Sequence, residues 1–186
     1  MTFDSAWSVA EKIPGWFAQT EGALLYRLAA EAPADRCIVE VGSYRGRSAA
    51  LLAATGRKTY LIDPLKLGDQ IDGRTLDADD VAGLTRFVRD RDNVVWWNQT
   101  SDGCPDPAEP IGLLHVDGCH AGTWPMADFK RFSRLIPPEA YVVFHDVDDA
   151  PSVRRTVDDL VSCGVLAFLE RAGGLAAYLM EQAETP

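Results

Sequence analysis

The sequence predicts an α/β fold: a mostly parallel, seven-stranded sheet with helices on both faces, closed by an antiparallel terminal hairpin. Three observations carry this. Short β-branched runs alternate five times with helical patterns, the signature of strand–helix–strand crossovers. Two further apolar runs near the end are joined by Gly173–Gly174, the turn chemistry of a hairpin. Finally, Glu40, Gly42, Asp63, Ser101, Asp117, His145 and Asp146 all fall at or just beyond strand C-termini. Open α/β sheets bind their ligands there.

The elements follow in order. Residues 1–18 mix Trp7, Ile13, Trp16 and Phe17 with Pro14 and Gly15, which reads as a short helix, a break and an apolar anchor. Thr20 caps a helix over 21–31 with Leu24, Leu25, Leu28 and Ala29 on one face, and Pro33 ends it. Cys37–Val41 is the first strand; a glycine-bearing turn leads into a helix over 47–55. Lys58–Asp63 is the second strand, stopped by Pro64. Residues 65–80 lack apolar periodicity and read as a lid, a binding loop or disorder. A helix over 81–90, a strand over 93–97 and, over 98–109, a polar loop or short helix broken by Pro105 and Pro107 come next. Ile111–Asp117 is the fourth strand, followed by a helix from Thr123 or Trp124 to Leu135. Ala140–Asp146 is the fifth, and Ser152 caps a helix to Cys163. The hairpin strands are 165–170 and 175–180. Trp96 and Trp97 read as core on one face and helix packing on the other.

The 186 residues fit a single domain, 1–186, with residues 1–34 as an N-terminal helical segment. A net charge of −10 argues against nucleic acid or an anionic membrane as partner, since both require a basic face. No apolar run is long enough to span a bilayer, and Met1–Ala10 shows no secretory pattern, so cytoplasmic localisation is expected. Cys37, Cys104, Cys119 and Cys163 lack C-x-x-C pairing and read as reduced, mostly buried thiols.

Two constellations carry chemistry. The stretch from Cys37 to Ser48 (C-I-V-E-V-G-S-Y-R-G-R-S) is a strand, a tight turn and a helix N-terminus, which together build a nucleotide-sized site. Its pattern is E-x-G-x-x-x-G. An acid at the strand end repels a pyrophosphate but suits a cationic or hydroxyl-rich ligand, so a nicotinamide-dependent oxidoreductase is disfavoured. Asp63, at the end of the second strand, can accept hydrogen bonds from ribose hydroxyls. The second constellation is Asp117-Gly118-Cys119-His120 with His145-Asp146, at the ends of neighbouring strands. Two carboxylates and an imidazole suit Mg²⁺ or Mn²⁺. His115, inside its strand, reads as a packed structural histidine.

The first stretch resembles motif I of the class I S-adenosylmethionine (SAM) dependent methyltransferases, and the terminal hairpin matches their Rossmann-like seven-stranded sheet. With L-I-D-P, H-V-D-G-C-H and V-V-F-H-D-V, the chain resembles the small metal-dependent O-methyltransferases of the macrolide-sugar and polysaccharide type. The resemblance implies a cofactor site of Glu40, Gly42, Ser43, Gly46, Ser48, Asp63, Ser101 and Asp117, with SAM as cofactor. It implies Asp117 and Asp146 as ligands of Mg²⁺ (or Mn²⁺) and His120 as general base. His145 stands where relatives carry another metal-site acid, and its role stays open between ligand, neighbouring support and base.

The activity so implied is methyl transfer to a hydroxyl of a sugar or glycoside, on a small-molecule or oligosaccharide acceptor. A phenol or catechol acceptor, or a non-catalytic SAM-binding subunit, remains the alternative, and a homodimer remains open. Acceptor contacts are expected from Trp7, Trp16 and Glu21, from 65–80, and from Gly122–Trp124.

Overall fold

A computed structural model describes residues 1–68, 70, 71 and 74–181; for residues 70, 71 and 74 the description is confined to the backbone. The elements are α1 (Phe3–Ala10), α2 (Gln19–Glu31), β1 (Cys37–Val41), α3 (Arg47–Ala54), β2 (Thr59–Ile62), β3 (Gln70–Ile71), β4 (Arg74–Thr75), α4 (Ala78–Arg89), β5 (Val94–Trp97), β6 (Ile111–Val116), α5 (Trp124–Ser133), β7 (Tyr141–Phe144), α6 (Pro151–Ser162), β8 (Leu166–Ala172) and β9 (Leu175–Met180). The main sheet runs β5-β2-β1-β6-β7-β9-β8. Its first five strands are parallel, while β9 runs antiparallel to both β7 and β8. This is the predicted seven-stranded, Rossmann-like methyltransferase architecture.

Every residue of β1, β2 and β6 is buried, because helices cover both faces of a parallel sheet. Alternation along each strand divides the core. Ile38, Leu61, Leu113 and Val143 face the layer built from α1–α4; Val39, Val41, Leu114 and Phe144 face α5 and α6. Leu25 and Leu28 on α2 and Leu51 and Leu52 on α3 are fully buried, each worth about 1.5–3 kcal/mol of transfer free energy. The chain leaves β1 toward β2 and returns to β6 on its other side. The crevice at that reversal, above the C-terminal ends of β1 and β6, is where a ligand fits.

Several boundaries differ from the sequence expectation, each through capping. α2 starts at Gln19 rather than after Thr20: the Glu21 carboxylate reaches back to the Ala18 N–H at 2.7 Å and closes the first turn. α4 starts at Ala78, three residues early. Asp77 Oδ1 accepts the Asp79 and Asp80 N–H groups, and Asp80 Oδ2 accepts the Asp77 N–H at 2.7 Å, a reciprocal cap. The stretch read as a loop over 65–80 therefore includes the short β3–β4 pair and the first turn of α4. Its expected lid role falls partly on residues 69, 72 and 73, which lie outside the described residues. Ser152 does not cap α6, which begins at Pro151; its hydroxyl donates to the His120 carbonyl instead. Cys37 and Cys104 are buried, but Cys119 and Cys163 are exposed.

Candidate active site

A cavity of about 740 Å³ opens at the sheet reversal, within the size range of small-molecule sites. Gly42 makes its floor. The residue has φ +88°, and a Cβ there would sit 1.9 Å from the Asp117 carbonyl oxygen, so only glycine lets β1 turn beneath the β6 loop. Directly after it, Asp63 Oδ2 accepts the Ser43 and Tyr44 N–H groups at 2.9 and 2.7 Å. Asp63 thus holds the turn with one oxygen, while Oδ1 has no partner among the described residues. Burial pushes the Asp63 carboxyl up to about 6, against the pull of those two N–H donors. The Ser43 hydroxyl is buried in the cavity wall without a hydrogen bond among the described residues. An orphaned hydroxyl and a half-used carboxylate at the end of a β-strand fit the polar edge of a nucleoside.

At the other end, the β6 and β7 loops bring three ligating atoms together. One atom each from Asp117, His120 and Asp146 lie within 4.8 Å of one another. His120 Nε2 is 3.5 Å from Asp146 Oδ2 and 4.0 Å from Asp117 Oδ1, and it makes no hydrogen bond among the described residues. Asp146 adopts φ +56°, an uncommon conformation for a residue other than glycine, and it aims its carboxylate back at the β6 loop.

His145 lies among three carboxylates. Its Nδ1 lies 3.3 Å from both Asp117 Oδ1 and Asp146 Oδ1, and its Nε2 lies 3.5 Å from Glu21 Oε2. Both ring nitrogens face carboxylates. Burial opposes the charged ring, but hydrogen bonds to Asp117, Asp146 and Glu21 overcome it and raise its pKa to about 12. The ring thus stands between the two aspartates and Glu21, beside the Asp117–His120–Asp146 trio. Phe17 stacks on it at 5.0 Å. Glu21 is held below the ordinary carboxylate range, its burial outweighed by His145 and by the Ala18 and Gly174 N–H groups.

Of the other expected cofactor residues, Gly42, Ser43, Ser48, Asp63, Ser101 and Asp117 line the cavity. Glu40 does not. Its side chain points with Ile38 into the α2 side of the core, one layer below the floor, and its carboxylate meets His115 Nδ1 at 3.0 Å. Gly46 is also off the wall; it starts α3 and packs near Leu84. Trp16 and Trp124 stand exposed at the cavity mouth, with Trp16 stacked on Tyr44 at 5.4 Å. Trp7, expected with them, packs instead against Gly22 and under the Arg47 guanidinium. Gly122 is not part of the lining. Sequence reasoning missed Asp128, a buried carboxylate on α5 that lines the cavity and accepts the Ser101 hydroxyl. The signal was there: Asp128 sits four residues before Phe132, on the apolar stripe of its helix.

Comparison with known families bears on this site. The model of a family described as a methyltransferase domain matches residues 39–147, from β1 through Asp146. The chain belongs to this methyltransferase family. Among solved structures it is similar to cofactor-bound Rv0187 from MTB, at 21% identity and TM-score 0.66 over 97% of this chain and 88% of that one. It is similar to the O-methyltransferase TomG from Streptomyces achromogenes, solved with SAM, at 19% identity and TM-score 0.67 over 96% and 90%. It is also similar to the N-methyltransferase NodS from Bradyrhizobium japonicum, at 14% identity and TM-score 0.61 over 87% and 94%. One fold thus serves oxygen and nitrogen acceptors, and the acceptor of this methyltransferase must be argued from its own site.

Proposed function

We propose that the protein is a SAM-dependent, divalent-cation-dependent O-methyltransferase acting on a hydroxyl of a sugar or glycoside. The observation that carries this reading is the trio Asp117, His120 and Asp146, with an unpaired His120 Nε2, in one cavity with Asp63 and Ser43. In this reading Asp63 Oδ1 and Ser43 Oγ take the ribose hydroxyls of the cofactor, whose sulfonium supplies an activated methyl group. A cation such as Mg²⁺ or Mn²⁺ between Asp117 and Asp146 would lower the pKa of an acceptor hydroxyl. His145 keeps those carboxylates at a fixed spacing. His120, unpaired and facing the cavity, takes the acceptor proton. The exposed faces of Trp16 and Trp124 give a ring something to lie against. Positioning the oxygen in line with the methyl group is the larger part of the catalysis.

The test is methyl transfer from SAM to a panel of sugar, glycoside and catechol hydroxyls, with Mg²⁺, with Mn²⁺ and with excess EDTA. We expect turnover on a sugar or glycoside, abolished by EDTA and by Asp146→Asn. His120→Ala should retain Mn²⁺ binding while depressing turnover by about 10²–10⁴, the range for a lost general base. Full activity in EDTA would overturn the cation, and turnover confined to catechols would overturn the sugar.

A further inference from the structure

The three members of the acid cluster are anchored unequally. Asp117 follows β6 directly, and its N–H donates to the Val41 carbonyl at 2.8 Å. Asp146 sits in a turn tied at several points. Its carbonyl accepts the Asp149 and Ala150 N–H groups at 3.2 and 2.9 Å, and the Val147 N–H donates to the Gly174 carbonyl at 3.1 Å. From α6, Arg154 Nε donates to the Val147 carbonyl at 3.0 Å. His120 has no such scaffold. From Gly118 to Gly122 no backbone N–H donates a hydrogen bond among the described residues. The Ala121 carbonyl accepts the Trp124 N–H where α5 begins. Beyond that, one hydrogen bond ties the stretch to another element among the described residues, from the Ser152 hydroxyl of α6 to the His120 carbonyl.

Ser152 is committed to this contact. Its side chain is half-buried, and it accepts no N–H of its own helix among the described residues. A hydroxyl has one proton to give, and this one goes to His120. The start of α6 therefore carries two arms of the cluster, Asp146 through the Ala150 N–H and Arg154, and His120 through Ser152. His120 Nε2 and Asp146 Oδ2 stand 3.5 Å apart, on segments that this hydroxyl joins. Without it, the 118–122 backbone is free to carry the imidazole away from Asp146. A group that takes a proton has to lie within hydrogen-bond reach of it, and a misplacement of about 1 Å is costly.

We propose that Ser152 is a positioning residue, whose hydrogen bond to the His120 carbonyl holds the imidazole beside Asp146 and so sets the rate of methyl transfer. This rests on the function proposed above, with His120 as the base. Ser152 itself touches neither the migrating proton nor the methyl group. Its effect on rate runs through His120 alone.

The experiment combines turnover of the full chain with nuclear magnetic resonance of its histidine rings, in Ser152→Ala, Ser152→Thr, His120→Ala and the double variant Ser152→Ala/His120→Ala. The chain has three histidines, so each ring signal can be followed, and the one lost in His120→Ala is that of His120. Ser152→Ala should lower kcat by about 10- to 10²-fold, with the KM for SAM and the Mn²⁺ affinity largely kept. Its His120 ring signal should shift or broaden while those of the buried His115 and His145 stay in place, which also shows that the variant is folded. Ser152→Thr, which keeps the hydroxyl, should retain the rate. The double variant should be no slower than His120→Ala, because Ser152 acts only through that ring. An unmoved His120 signal in Ser152→Ala would overturn the proposal. So would a double variant much slower than His120→Ala, or a rate loss in Ser152→Ala matched in Ser152→Thr. If the unmodified protein transfers no methyl group, the proposed function fails, and the ring signals alone decide whether Ser152 places His120.

Discussion

Asp63 and Asp128 face one cavity from opposite walls, and burial pushes each up to about 6. The sign of the consequence follows. Their folded values lie above those of the unfolded chain, so between about pH 4 and 6 the native state holds more protons. Their contribution to stability therefore falls as pH rises through that window. A ligand that donates hydrogen bonds to the ionised carboxylates works the other way. S-adenosylhomocysteine affinity should rise from pH 5 to pH 7, by up to about tenfold for each carboxylate the ligand engages. Calorimetry at pH 5, 6 and 7 checks this, and a flat profile would mean that neither carboxylate receives a hydrogen bond from the ligand. At this scale the sequence was half legible. Asp63 and Asp117 could be found because they end strands. Asp128 lies mid-helix, and only its position on an apolar stripe marks it as facing inward. The surroundings of His145 were not legible at all, because they include Glu21 and Phe17, which are more than 120 residues away in the chain.

Elements were legible where a hydrophobic period was long, and blurred where a side chain bonded the backbone. The strands β1, β2, β6 and β7 were placed to within a residue or two, since burial on both faces demands continuous apolar runs. The start of α4 was misplaced because Asp77–Asp80 reads as a charged loop until its carboxylates are seen to cap one another. That cap has a measurable worth. Asp77→Ala should lower stability by about 0.5–2 kcal/mol in urea unfolding, with S-adenosylhomocysteine affinity little changed. A loss well above that range would show that the Asp77 carboxylate does more than cap the helix. The terminal hairpin was legible from Gly173–Gly174, but its use was not. Gly173 has φ +57°, and a Cβ there would lie 2.7 Å from Glu21 Oε1, so the glycine also makes room for a carboxylate from the opposite end of the chain.

For the whole molecule, Glu21 is the point where distant parts meet. It caps α2 through the Ala18 N–H, accepts the Gly174 N–H at 2.9 Å and faces His145 Nε2. Removing it leaves a buried, charged ring with one nitrogen unpaired, which is far more damaging than losing an exposed ion pair. Glu21→Ala should lower stability by roughly 2–4 kcal/mol, within the range for a broken buried hydrogen-bond network. Under the proposed function it should also weaken Mn²⁺ binding while S-adenosylhomocysteine affinity is largely kept, because Asp63 and Ser101 do not touch it. Mn²⁺ affinity unchanged in the folded variant would sink the idea that Glu21 acts through His145 on the two aspartates.

The Glu21–Gly174 contact makes the acid cluster depend on the last hairpin. Under the proposed function, the cofactor wall at Asp63 and Ser101 is built from elements that precede the last hairpin. The acid cluster waits for residue 174, because until the β8–β9 turn docks, Glu21 lacks one of the donors that hold it against His145. Under the proposed function, a change at the β8–β9 turn such as Gly174→Pro, which removes that N–H, is expected to disturb the acid cluster more than the cofactor wall.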